Sequence, residues 1–465
     1  MRVVVVGGGV AGLAAATRLA ERGHAVTLYE RRAQLGGRAY SVVDETTGDT
    51  IDNGQHLMMG CYTALRGFLR RLGTEHLLRL HDDLDVTFVD GAARTRLRAL
   101  KLPAPFHVAG GLLAFAALGW RDRLALVRHG PSLVKPSAAH PAATDWQTVD
   151  QWLDRLGQSP RARRAFWYPL VTATLNDDPG AASAKMLEAV LREGFFGARE
   201  GSRLGLARVG LSELYCCAAQ KFLEARGARV VTAATVEQIV VERGAARGVR
   251  VAGARVDADA VIAAVPPPEL WPLVPDGART GEPYFENLRR LEPSPILSIH
   301  LWLDRLLDAE EMIGLIDRPV HWIFNRNRIA AVAAPARSHL TLVVSAARAL
   351  VARPAQELIE LGLDEVRRAI PAAARATLVH ARVIKERAAT IGHAAGSEAL
   401  RPRARSPVER LAIAGDFVRT GLPATLESAA RSADEACAIV ESLAGAAPPE
   451  PPRAPLIPVE RLRRA

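Results

Sequence analysis

The sequence predicts an α/β protein in which a Rossmann-type nucleotide-binding domain is interleaved with an α+β substrate-binding domain. Three observations predict it. The chain opens as strand (Arg2 to Val6), glycine-rich turn, helix (Ala11 to Arg22) and strand (Ala25 to Tyr29), the start of a βαβ unit. A short buried strand, Leu411 to Ala414, runs into Gly415-Asp416 nearly four hundred residues later. Between them lie a Leu- and Ala-rich helical stretch over 101–200 and a second strand-forming block over 295–303 and 339–346.

In the opening turn, Gly7-Gly8-Gly9-Val10-Ala11-Gly12 fits G-x-G-x-x-G. Gly7 permits the tight turn, Gly9 lets a pyrophosphate approach, and Gly12 lets the helix pack on the strand. The helix start at Val10 and Ala11 then faces the phosphates with partial positive charge. Glu30 ends the second strand, eighteen residues beyond Gly12, where a carboxylate accepts from both ribose hydroxyls of an adenosine. A dinucleotide site follows from the pair of signals together.

Further along, a helix near Ser212 to Ala225 leads to strands at Arg229 to Val231, Val236 to Glu242, Gly248 to Val251 and Ala260 to Val265, closed by Pro266-Pro267-Pro268. Ala355 to Ala369 reads as a helix and Val379 to Glu386 as a strand. The nucleotide-binding domain is therefore expected over 1–85, 205–268 and 405–444, and the substrate domain over 86–204 and 269–404. Residues 445–465 hold six prolines and a basic end, an extended tail.

Composition excludes several classes. With 49% apolar and 24% charged residues among 465, the chain is neither disordered nor a disulfide scaffold. The net charge of +10 comes with only five lysines and with no recognition motif or basic helix interleaved with aromatics, so nucleic acid is not an expected partner. Cys61, Cys216, Cys217 and Cys437 form no C-x-x-C, which argues for a reduced, cytoplasmic chain without metal. The apolar run after Met1-Arg2 is broken by three glycines and reads as strand and turn rather than a signal peptide. The thirteen-residue apolar run Val108 to Trp120 is too short to span a bilayer.

Leu35-Gly36-Gly37-Arg38, and Gly415-Asp416 followed by Thr420-Gly421-Leu422-Pro423-Ala424-Thr425-Leu426, resemble the flavin-containing amine oxidase and phytoene desaturase superfamily. The resemblance implies an amine oxidase-like fold and FAD as cofactor. It places Gly36, Gly37 and Arg38 at the pyrophosphate, the Val236 backbone at adenine, Gly415 and Asp416 at the ribityl phosphate end, and Thr425 and Leu426 at the flavin ring. A helix start there stabilises negative charge on a reduced flavin. There is no second G-x-G-x-x-G with strand and acid, so no separate NAD(P)H site is expected and the electron donor is left open.

Ile51-Asp52-Asn53-Gly54-Gln55-His56, Thr174-Leu175-Asn176 and the T-G-L-P-A-T segment look like the squalene-associated FAD-dependent desaturases, the hydroxysqualene dehydroxylases of bacterial hopanoid synthesis. Phe417 stands where that group has tryptophan. The resemblance implies conversion of hydroxysqualene, a C30 isoprenoid alcohol, to squalene, by loss of water to an allylic cation and hydride from reduced flavin. Such chemistry needs a proton donor and an apolar, water-excluding site.

Four residues are candidates for the chemistry. His56 is the leading proton donor, with Gln55 beside it; the alternative is that Asn53, Gln55 and His56 only hydrogen-bond cofactor or backbone. Lys385 either holds a water at the flavin, as in some amine oxidases, or is a solvated strand lysine. Arg419 binds flavin or a substrate hydroxyl, or lies in a surface turn. The competing activities are an oxidase or desaturase acting on a carotenoid precursor or an amine, and a flavin-binding lipid chaperone without catalysis. The segment 101–129, with Phe106, Leu113 and Trp120 flanked by Lys101, Arg121, Arg123 and Arg128, is either a peripheral dock on the inner face of the cytoplasmic membrane or a buried helix of the substrate domain.

Overall fold

A computed structural model describes residues 1–134, 144–333 and 335–443; the expected Pro-rich tail lies outside them. The nucleotide-binding layer is a five-stranded parallel sheet in the order Arg229–Val231, Ala25–Tyr29, Arg2–Val6, Ala260–Ala263, Leu411–Ile413. Both faces are covered, which is why the first strand is an unbroken valine run. Val3 and Val5 meet the helices Val10–Glu21 and Leu426–Ser442, whereas Val4 and Val6 meet an antiparallel three-stranded sheet, Val236–Glu242, Ala245–Val251 and Ala254–Asp257. The two helices present alanines to each other, among them Ala14, Ala15, Ala429 and Ala433, and small side chains allow close packing over the sheet.

The second sheet is mixed and seven-stranded: Leu378–Ile391, Pro293–Leu303, Ser338–Val344, Trp322–Asn325, Met312–Leu315, Asp85–Asp90, Ala93–Arg98. Strict alternation gives its central strands two different faces. Leu297, Ile299, Leu301, Leu340 and Leu342 pack on the helix Ala355–Ala369. The other face carries Ser298, His300, Trp302, His339 and Thr341, paired across the strands as Ser298 with Val343, His300 with Thr341, and Trp302 with His339. That face continues through Val343, Trp322, Phe324 and Met312 into an apolar cluster under the helices of 106–196.

The expected elements match within a few residues, with two physical differences. The proline triplet does not merely close a strand block: Pro266 stands at the N-cap of the helix Pro267–Leu273 and Pro267 and Pro268 open it, where proline's fixed φ suits the first turn. The helix expected over Ser212 to Ala225 begins as a π-turn, Ser212–Cys216, before becoming α-helical at Cys217–Glu224. Among the described residues, no helix is long and apolar enough to cross a membrane.

One buried cation organises the junction between Gly415 and the last helix. Arg401 is 1% exposed and donates to the carbonyls of Asp416, Phe417, Val418 and Leu422 and to the Glu398 carboxylate. Replacing it by methionine leaves one buried carboxylate and four carbonyls without that donor. Arg401→Met should cost about 3–5 kcal/mol, read as a lowered midpoint in urea unfolding; an unchanged midpoint would show that the 416–422 loop holds itself.

Candidate cofactor and active site

The first turn is shaped by contacts that tolerate no side chain. Gly7 has φ +105°, and a Cβ on Gly12 would lie 1.9 Å from the Gly7 carbonyl oxygen, so helix and turn are in backbone contact. Gly9 differs: a Cβ built there would meet nothing closer than Gly37 Cα at 3.8 Å. Gly9 and Gly36 form a bridge between the two glycine turns, and Gly36 and Gly37 both have positive φ. Beside them the helix Val10–Glu21 starts without a side-chain cap, which leaves its first amides to an outside acceptor. Gly9 thus borders a cradle of the kind a pyrophosphate fills, and the donor set fits FAD.

Glu30 is buried, and its two carboxylate oxygens accept from the amides of Gly8 (2.7 Å) and Arg32 (2.8 Å). Each oxygen keeps a further lone pair, so the carboxylate is oriented for ribose hydroxyls by the turn it serves. Val236 is buried at the start of its strand, next to Ala234, whose amide donates to the Glu30 carbonyl at 2.9 Å.

At the other end of the cleft, Arg38 pairs with Asp416 and also donates to the Ala389 carbonyl at 3.1 Å. The Gly415 amide donates to Ser432 Oγ at 2.8 Å, and a Cβ on Gly415 would lie 2.3 Å from the Phe417 ring. The fully buried Phe417 therefore makes glycine obligatory before it. Thr425 caps the helix that begins at Leu426, accepting from the Ser428 amide at 3.1 Å. His393, fully buried, accepts the Ala424 amide at 2.8 Å, and burial pushes its imidazole down to about 3, so it holds this loop as a neutral acceptor.

Asn53, Gln55 and His56 have distinct positions. Asn53 Nδ2 donates to the Arg38 carbonyl at 2.9 Å and its Oδ1 accepts from the Tyr40 amide at 3.3 Å; it clamps the backbone on which Arg38 sits. Gln55 Oε1 accepts from Arg326 at 2.5 Å. His56 Nδ1 lies 2.8 Å from the Gly54 carbonyl, which makes Nδ1 the protonated nitrogen and leaves Nε2 for another partner. Burial lowers the His56 imidazole below its ordinary value, against the opposing charges of Asp52 and Glu386.

Two expectations are corrected. Lys385 does not face the cleft. It pairs with Leu297, whereas the flanking Ile384 and Glu386 pair with Ser298 and Ile296; alternation sends Lys385 to the outer face, where Nζ bonds the Arg353 carbonyl. Glu386 is the neighbour on the inner face, 3.4 Å from the Tyr40 hydroxyl. Arg419 donates to the Ala399 carbonyl at 3.0 Å and borders a surface groove of about 730 Å³ with Lys185, Arg192 and Glu193. The surface-turn reading holds for it, and Arg401 is the arginine that works behind the 416–422 loop.

Sequence reasoning missed Arg326, 7% exposed, which brings a charge to Gln55 from 271 residues away. Its neighbours on the polar half of the sheet face include His300 and His339, 3.3 Å apart, with Thr341 Oγ1 3.1 Å from His300 Nδ1. Burial pushes His300 down to about 3 and His339 well below its ordinary value, so Arg326 faces uncharged imidazoles. Trp302 stacks on His339 at 4.3 Å and donates to Asp49 at 2.6 Å, which pins this half against the hairpin Ser41–Val43 and Thr50–Asp52. The other half of the face is apolar: Val343, Phe324 and Met312 join Met59, Phe88, Phe115 and Phe195 in one cluster, with Leu57 packed on it. Gln55 and His56 stand where the polar half gives way to the apolar half.

Gly9→Val should give a soluble, folded protein that purifies without flavin absorbance, because the added side chain enters the cradle and not the protein core. A yellow variant with a full complement of FAD would overturn the assignment of this turn.

Comparisons with known proteins agree with this geometry. The profile of the family described as flavin containing amine oxidoreductase matches residues 10–440. The chain is 30% identical over 446 residues to a hydroxysqualene dehydroxylase of Rhodopseudomonas palustris, covering 94% of this chain and 98% of that one. It is 26% identical over 461 residues to a 15-cis-phytoene desaturase of Synechococcus elongatus, covering 93% and 94%. Among solved structures, an oxidoreductase from Methanosarcina mazei superposes with a TM-score of 0.74 at 20% identity, over 94% of this chain and 99% of that one. Cyclohexylamine oxidase from Brevibacterium oxydans gives 0.69 at 19%, over 95% and 99%. The chain belongs to the flavin-containing amine oxidoreductase family, an FAD-dependent oxidoreductase with the amine oxidase-like fold.

Proposed function

We propose that this oxidoreductase reductively dehydroxylates hydroxysqualene to squalene. The observation that carries the reading is the divided sheet face. An apolar cluster that includes Met59, Phe88, Phe115, Phe195 and Phe324 lies at one side of Gln55 and His56 and the polar half of the sheet face at the other, a division that suits a long hydrocarbon bearing one hydroxyl. The relatives named hydroxysqualene dehydroxylase, at 27–30% identity over 93–94% of the chain, support the same substrate class.

In the reaction, a proton is added to the hydroxyl, the C–O bond breaks with its electron pair leaving as water, and hydride forms the new C–H bond at the allylic carbon. Reduced FAD, when bound, supplies that hydride. The chain's own part is to bind the hydrocarbon, exclude water from the cation and deliver the proton. We assign the delivery to His56 Nε2: with Nδ1 held on the Gly54 carbonyl, a proton gained by the imidazole resides on Nε2. Gln55, fixed by Arg326, orients the hydroxyl. A second reading, desaturation of a longer polyprene, has the support of the full-length match to 15-cis-phytoene desaturase.

The test is anaerobic incubation of the holoprotein with reduced FAD and hydroxysqualene, with squalene measured by gas chromatography. Squalene formed in proportion to flavin oxidised is the expected result; none, with the flavin still reduced, would favour the desaturase reading. The sign of the pH dependence follows from His56. Because its pKa lies below the ordinary value, imidazolium is the minor form near neutrality and grows as pH falls. kcat/KM should therefore rise from about pH 8 to about pH 6, by at most about tenfold per unit. His56→Gln should be slow and lose this slope; an unchanged profile in the variant would remove His56 as the donor.

A further inference from the structure

We infer that the outer face of the helices Phe106–Ala114 and Trp120–Val134 is a docking surface for an anionic lipid bilayer. These helices depart from the usual pattern of a polar outer face. The inward residues Val108, Leu112, Phe115 and Leu118 are buried in the apolar cluster beside the active site, as expected of a surface helix. The outward residues are apolar too: Phe106 is 62% exposed, Trp120 69% and Leu124 60%, with Leu102 and Leu113 beside them. Phe106–Ala114 carries no charged residue at all. A helix apolar on both sides belongs inside a protein or against another apolar phase.

Charge decides which phase. Between Leu100 and Val134 the single acidic residue is Asp122, and it is buried, accepting the Gly119 amide at 3.1 Å. The basic residues divide. Arg123 is turned inward and donates to the Phe115 carbonyl at 3.0 Å, whereas Lys101, Arg121 and Arg128 are exposed. Arg121 lies 5.3 Å from the Trp120 ring. An apolar stripe edged by tryptophan, two arginines and a lysine, with no exposed carboxylate on either helix, fits headgroups bearing negative charge over an acyl layer. The inner side of the same helices borders the apolar wall assigned above, so the surface faces the phase from which an insoluble hydrocarbon would come. The docking itself does not depend on which hydrocarbon is the substrate.

The experiment is flotation of the yellow holoprotein with vesicles of phosphatidylcholine alone and with about 30% phosphatidylglycerol. Wild type should float with the anionic vesicles at least about tenfold more strongly than with neutral ones at low salt. Arg121→Glu with Arg128→Glu should remove that preference, and Phe106→Ser with Trp120→Ser and Leu124→Ser should abolish flotation on both, each variant keeping its flavin absorbance. In a second readout, brominated lipid should quench wild-type fluorescence, and Trp120→Phe should lose that component. Flotation unchanged in the triple variant would overturn the proposal. So would a wild-type dimer that the triple variant converts to monomer while neither protein floats, because a second copy would then be the occupant. Since no turnover is measured, failure here leaves the dehydroxylase reading to its own assay.

Discussion

The ion pair between Arg38 and Asp416 closes the nucleotide cleft across 378 residues of chain, and most of the site geometry depends on it. Arg38 follows the Gly36-Gly37 turn that faces Gly9, while Asp416 precedes the loop leading to the last helix. Each partner is held from behind: the Arg38 backbone by Asn53, the Asp416 backbone by Arg401 and Ser428. A salt bridge in water contributes little. Here the carboxylate is 10% exposed and is backed by the buried Arg401 with its hydrogen bonds to the 416–422 loop, so its value lies in fixing the Gly36-Gly37 turn and the Gly415-Asp416 turn at one separation.

Electrostatics around the seven-stranded sheet follow from the same economy of buried charge. Arg326 is desolvated, which lowers its pKa, and Asp52 is the charge that opposes the shift. Protonated His300 or His339 beside it would add repulsion with no water to screen it. Burial keeps both neutral, and neutral imidazoles can both donate and accept, as the contacts among His300, His339 and Thr341 require. The one buried positive charge of this region is thereby directed to Gln55. At its edge, burial raises the Asp44 carboxyl, but the Thr47 amide, His380 and Arg382 together outweigh it and leave the group well below the usual carboxylate range. Its contribution to stability is present above the ordinary carboxylate pKa and is lost as pH falls toward the folded value.

What could be read from the sequence was local. The G-x-G-x-x-G turn, Glu30 and the Gly-Asp segment work through backbone contacts within a few residues, and glycine records such contacts directly, since no other residue fits at Gly7, Gly12 or Gly415. Arg401 and Arg326 left no comparable trace. Both lie in arginine-rich stretches of a chain with sixty basic side chains, and burial alone separates them from exposed neighbours such as Arg403 and Arg328. Lys385 and Arg419 failed for the converse reason. Each lies next to residues that do face the cleft, and the period of a strand or one turn of loop sends its side chain away.

The period of the strand also explains why the divided face can be kept in register. In Pro293–Leu303, odd positions pack on the helix Ala355–Ala369 and even positions carry Ser298, His300 and Trp302. A slip of one residue would bring Ile299 and Leu301 against Asp49 and Asp52, and would bury His300 and Trp302 under an apolar helix, where their N–H groups find no acceptor. Both faces therefore reject the same error. The long strand Leu378–Ile391 gains from this, because its inner-face residues His380, Arg382 and Glu386 reach Asp44 and Tyr40 only in the observed pairing with Trp302, His300 and Ile296. Polar residues in the middle of this sheet thus set the alignment that puts Gln55 and His56 at the edge of an apolar wall.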